Sequence, residues 1–186
     1  MDTRVRYLID ARASRFTVQA FAGGFAAVMA HNPKFAIRDF TGEAQFVPGT
    51  LEDASLRVTV KASSLDLLDE VGAKDRREIQ RVAFEEVLNT DRFPEIVFGS
   101  SQITSNQLGE NMYRVTVSGN LTLHGVTRGH AFAANVTVGG DTLRGNGEFT
   151  LKQTDYNMKL VSVAGGMVKV KDELKLSFDV VALKQG

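Results

Sequence analysis

The sequence predicts an all-β, antiparallel fold, a barrel or a sandwich, carrying one amphipathic helix. Three observations carry that expectation. Over residues 112–138, MYRVTVSGNLTLHGVTRGHAFAANVTV, apolar and polar side chains alternate with the period of two that gives a strand one oily and one wet face. Turn signals such as Pro48-Gly49, His124-Gly125 and Gly139-Gly140 punctuate the chain at short intervals, as in sandwiches and barrels. Residues 73–89 alone keep a convincing helical period.

Strands are expected at 4–10 and 14–20, the second with Phe16, Val18 and Ala20 on one face. Residues 21–30 are ambiguous. Val18, Phe21, Ala22, Phe25 and Met29 recur at helical spacing, yet Gly23-Gly24 costs a helix about 2 kcal/mol relative to alanine. The segment reads as short helical or irregular chain over one end of the fold, either ordinary core or an apolar lid hinged at the glycines. After Asn32-Pro33, residues 34–47 form two strands or one bent strand, because Phe35 and Ile37 have one parity and Phe40, Ala44 and Phe46 the other. Leu56, Val58 and Val60 mark the next strand.

In the helix, Asp75 and Glu78 fit a capping box. Ile79, Val82, Ala83 and Val87 form an apolar stripe flanked by an Arg81–Glu85 pair. Pro94 stands where a strand begins, and 100–111 reads as a hairpin. The strands either side of His124-Gly125 must be antiparallel neighbours, since a parallel return needs a crossover of about a dozen residues. Gly139-Gly140 turns the chain into a strand with Leu143, Gly145, Gly147, Phe149 and Leu151 on one face. Residues 167–171 and 174–182 supply the last strands. No repeat or linker divides the chain, so 1–186 is expected to be one domain.

Composition narrows the function. Lys plus Arg balances Asp plus Glu at 22 each, which leaves no net field to gather nucleic acid. Without cysteine there is no disulfide, thiolate metal site or thiol nucleophile. The chain enters a strand directly, with no basic and apolar leader before it. A cytoplasmic protein is expected, or a periplasmic one if the sequence is a mature form. The most apolar run, 20–30, is too short for the roughly 20 residues that span a bilayer. No nucleophile elbow, zinc-protease helix, P-loop or dinucleotide fingerprint occurs, and His31, His124 and His130 lack a carboxylate in ligand spacing. The expectation is a protein without catalysis, metal or cofactor.

A resemblance adds to this reading. Gly119-Asn120-Leu121-Thr122-Leu123-His124-Gly125-Val126-Thr127-Arg128 resembles the G-[DN]-L-T-[LI]-[HR]-G-V-T-[KR] signature of the YceI-like family. Tyr7-Leu8-Ile9-Asp10 followed by Ser14, Ser63-Ser64-Leu65, Arg92-Phe93-Pro94-Glu95-Ile96-Val97-Phe98 and the stretch from Lys152 to Met158 resemble further family segments. The 21–30 and 73–89 segments depart from the family pattern. The resemblance implies a lipocalin-like β-barrel that binds polyisoprenoids in its interior.

Candidate lining residues follow from inward parity together with that resemblance. They are Phe16, Val18, Phe21, Phe25, Phe46, Val58, Phe98, Leu121, Phe132 and Phe149. Gly145 and Gly147 are added because glycine on an apolar face either eases curvature or leaves volume for a ligand. Arg128, His130 and Tyr156 are candidates for a polar headgroup. Twelve Phe with no Trp and three Tyr give an aromatic surface suited to hydrocarbon or to plain core. The expected partner is an isoprenoid or fatty-acid-like lipid, with a homodimer left open. The alternative is a closed-barrel interaction or stress-response module whose helix meets a protein.

Overall fold

In the computed structural model, residues 3–24, 32–51 and 53–186 are described. The chain forms β1 (Val5–Ile9), β2 (Arg15–Gln19), β3 (Ala22–Gly23), β4 (Lys34–Ile37), β5 (Phe40–Phe46), β6 (Ser55–Lys61) and β7 (Leu65–Leu67). After helix α1 (Ala73–Arg81) come β8 (Glu95–Gly109), β9 (Met112–Leu123), β10 (Val126–Gly139), β11 (Thr142–Lys152), β12 (Ser162–Val163), β13 (Val168–Val170) and β14 (Glu173–Gln185).

The sheet runs β1-β5-β6-β8-β9-β10-β11-β14 and returns to β1, a closed barrel of eight antiparallel strands. Closure leaves no free edge and about one small ligand's worth of interior. Strands β2, β4 and β7 continue the wall beyond the breaks that follow β1, precede β5 and follow β6. One side of β14 serves both pieces of the first strand: Asp179↔Arg15 begins the β2 ladder and Ala182↔Ile9 the β1 ladder. The gap at 10–14 is stitched by two side chains. Asp10 Oδ1 accepts from the Arg12 amide at 3.0 Å, and Ser14 Oγ accepts from the Val181 amide at 2.9 Å. The family-like spacing of Asp10 and Ser14 is therefore the chemistry of a strand break.

The β9–β10 hairpin holds its expected register, Leu123↔Val126 to Met112↔Thr137. Its turn residues have positive φ, 52° at His124 and 72° at Gly125, as a two-residue primed turn requires. Three expectations are corrected. Residues 100–109 belong to one long β8 with a bulge between Ser100 and Gln102, because the polar run still has a partner in β9. The turn after β10 falls at Gly140-Asp141, with Gly139 paired to Thr142. No capping box forms: Gly72 caps α1 without a side-chain bond, and Glu78 turns to Arg81 instead. The 34–47 break lies where parity changed, between β4 and β5.

Past Arg81 the helix continues to Val87 in a wider winding. The Leu88 amide donates five residues back, to Ala83 O, at 2.9 Å, the geometry of a π-turn. Arg76 moors the helix by donating to Leu67 O and Asp69 O at 2.6 and 2.9 Å. Beside it, β3, β12 and β13 make a separate small sheet. No helix among the described residues is long and apolar enough to cross a membrane.

Candidate functional site

The two ends of the barrel are built differently. At one end Tyr7, Phe46, Tyr113, Val115 and Val117 interlock as buried core. Tyr7 stacks on Phe46 at 5.3 Å between ring centres, and its hydroxyl donates to Gly140 O at 2.8 Å. Towards α1 and the small sheet the wall encloses a cavity of about 860 Å³.

Eight phenylalanines line that cavity, and six of them form a run from Phe40 through Phe16, Phe178, Phe149 and Phe132 to Phe98. Successive rings touch edge-on, tilted or stacked, with centres 5.3–6.5 Å apart, within the favourable range for aromatic pairs. The helix contributes Ile79, Val82, Ala83, Val87 and Leu88, so its apolar stripe faces the cavity. Glu78 and Met167 are exposed and also line it, so the cavity reaches the surface beside them.

Polar side chains are few on this wall. His130 lies among the rings, 4.9 Å from Phe149. Its Nε2 is buried and has no hydrogen-bond partner among the described residues. Burial alone holds its pKa below the usual histidine value. Gln153 is buried, and its amide donates to Lys171 O at 3.0 Å. At the rim, Arg81 binds Glu78 at 2.7 Å and Glu86 at 3.1 Å, and Lys159 binds Glu86 at 3.1 Å. The Arg81 hydrogen bond holds the Glu78 carboxyl below its usual range.

Of the candidates from sequence, Phe16, Val18, Phe21, Val58, Phe98, Leu121, His130, Phe132 and Phe149 line the cavity. Phe25 lies outside the described residues, as does most of the 21–30 segment. Phe46 is in the filled end. Arg128 shares the parity of His130 but is exposed, its guanidinium 3.7 Å from Asp155 Oδ1. Gly145 packs beneath Val180 and Val136. A Cβ on Gly147 would stand 2.6 Å from Ala133 O, and one on Gly119 2.7 Å from Phe98 Cζ. These two glycines let strand and ring approach closely.

Tyr156 is buried, and its carbonyl accepts from His124 Nδ1 at 3.0 Å. A carbonyl only accepts, so Nδ1 carries the proton and Nε2 takes the Asn89 amide at 2.9 Å. Phe93 packs on the His124 ring at 4.7 Å. Three stretches of the chain, 89–93, 124 and 156, thus meet at one structural corner.

Sequence reasoning missed Phe40, Phe178, Gln153 and the helix stripe as wall. Gln153 was accessible to it, since it continues the inward set 143, 145, 147, 149 and 151.

The profile of the YceI-like domain matches residues 7–182. The chain belongs to the YceI-like family. Three solved structures similar to this YceI-like chain show the same fold. BcnA of Burkholderia cenocepacia superposes with a TM-score of 0.70 at 22% identity, over 93% of this chain and 98% of that one. A polyisoprenoid-binding domain from Saccharophagus degradans, implicated in plant cell wall breakdown, gives 0.65 at 14% identity, over 96% and 98%. The YceI protein of Campylobacter jejuni gives 0.60 at 16% identity, over 84% and 88%. Among curated proteins, none matches this sequence.

Proposed function

We propose that this YceI-like barrel binds and carries a long apolar chain, an isoprenoid or similar lipid, in its α1-side half, without catalysis. The observation that carries this reading is the cavity of about 860 Å³ walled by aromatic and aliphatic side chains. Its size falls within the roughly 300–1,000 Å³ of small-molecule sites. Burial of hydrocarbon there supplies affinity at about 25 cal/mol per Å². The likeness to a polyisoprenoid-binding domain supports the ligand class. The apolar stripe of the helix faces this cavity, which counts against the helix as a docking face for a protein.

Native mass spectrometry of the purified protein, followed by organic extraction and lipid analysis, tests the proposal. A stoichiometric prenyl or fatty species is expected. A protein that carries none and takes up no added polyprenol would overturn it.

A further inference from the structure

The polar groups on the cavity wall select a kind of headgroup. Among the described lining residues they are His130, Gln153 and Glu78, and no lysine or arginine joins them. A carboxylate or phosphate carried into this space would lose its hydration with no opposite charge to meet it, the most costly kind of burial. Among the described lining residues the one charge, at the rim, is negative. Glu78 is kept ionised by Arg81, whose own charge is spent on Glu78, Glu85 and Glu86.

A neutral polar head finds the opposite situation. His130 makes no hydrogen bond among the described residues, and its buried Nε2 carries the cost of an unmade one. His130 lines the cavity, and the torsion about its Cβ–Cγ bond is soft. A hydroxyl or carbonyl placed there pairs with whichever nitrogen faces it. Gln153, in the turn just after β11, offers further polar atoms on that wall.

We infer that the cavity selects an uncharged amphiphile. Its chain lies along the phenylalanines and its non-ionised head, an alcohol or ketone, bonds to His130, while the matching carboxylate or phosphate is rejected. This inference rests on the lipid-binding reading above.

The test uses matched probes on the delipidated full chain at about pH 8, where carboxylates are ionised. Geranylgeraniol is compared with geranylgeranyl monophosphate, and oleyl alcohol with oleate, by native mass spectrometry titration. Each alcohol is expected to bind at least about tenfold tighter than its anion. His130→Phe is expected to lower geranylgeraniol affinity several-fold and leave the hydrocarbon phytane unchanged. Anions that bind as tightly as the alcohols, or a wild-type preference for alcohol over phytane that survives His130→Phe, would overturn the inference and leave the carrier reading standing. If geranylgeraniol, oleyl alcohol and phytane all fail to bind, the carrier reading itself falls and the inference with it.

Discussion

The filled and hollow ends of the barrel share one backbone pattern and differ in what the inward side chains meet. At the filled end, Tyr7 and Phe46 come from adjacent strands and stack face to face. Tyr113, Val115 and Val117 fill the space opposite, and the Tyr7 hydroxyl closes on Gly140 O. At the other end, equally large rings on β2, β10, β11 and β14 pack against one another and the core on one side and border the cavity on the other. Ring size is the same in both halves. What differs is what the rings face: Tyr7 and Phe46 are buried in core, whereas at the hollow end α1 and the small sheet complete the wall of a cavity.

Truncating one ring at each end gives the largest expected contrast. Phe46→Ala removes a side chain packed on all sides and is expected to cost about 3–5 kcal/mol, as core Phe→Ala changes do. Phe149→Ala removes a ring that already borders the cavity on one flank. With fewer contacts to lose, it is expected to cost about 1–2 kcal/mol, and to weaken lipid binding more than Phe46→Ala does. Urea denaturation of both variants without lipid measures the gap. Equal costs would mean that the hollow end collapses in solution.

The contrast also explains what was legible in the sequence. Period-two alternation gave the strands, and residues 119–128 gave the hairpin, because both are local consequences of backbone geometry. The same alternation said "inward" for Phe46 and for Phe149 alike. Parity cannot tell a ring facing another ring from a ring facing a void, since that depends on which strands lie across the barrel. Within the family-like motifs, Phe93, His124 and Gly125 build a corner in which the Phe93 ring leaves no room for a Cβ on Gly125. Arg128 followed the inward parity as far as the rim, where solvent and Asp155 reclaim it. The helix stripe was visible as a stripe, but periodicity alone does not show which surface it covers.

A smaller effect sharpens the account of the filled end. Tyr7→Phe keeps the stack on Phe46 and deletes only the bond to Gly140 O. A neutral hydrogen bond of this kind contributes about 1 kcal/mol net. The loss should show in thermal or urea unfolding while lipid binding stays unchanged. A change in lipid binding would mean that the two ends are coupled.

The smallest expected effect belongs to the hollow end and depends on pH. His130 is held below its ordinary pKa of about 6.5 by burial among phenylalanines. Above that value the ring is neutral in both folded and unfolded chains, and its protonation adds no pH dependence to stability. As pH falls through about 6.5 the unfolded chain takes up a proton that the folded chain resists, so stability declines on the acid side. His130→Phe abolishes that contribution. Unfolding measured across this window should therefore show a shallower acid decline for the variant than for the wild type. The difference between the two curves isolates His130 from the carboxylates, which titrate in both. Bound uncharged lipid should deepen the wild-type acid decline, because a head bonded to the neutral ring opposes protonation of the folded chain in the same direction as burial. If wild type and variant decline in parallel without lipid, His130 takes up its proton as easily folded as unfolded. The hollow end would then be wetter at His130 than its ring of phenylalanines implies.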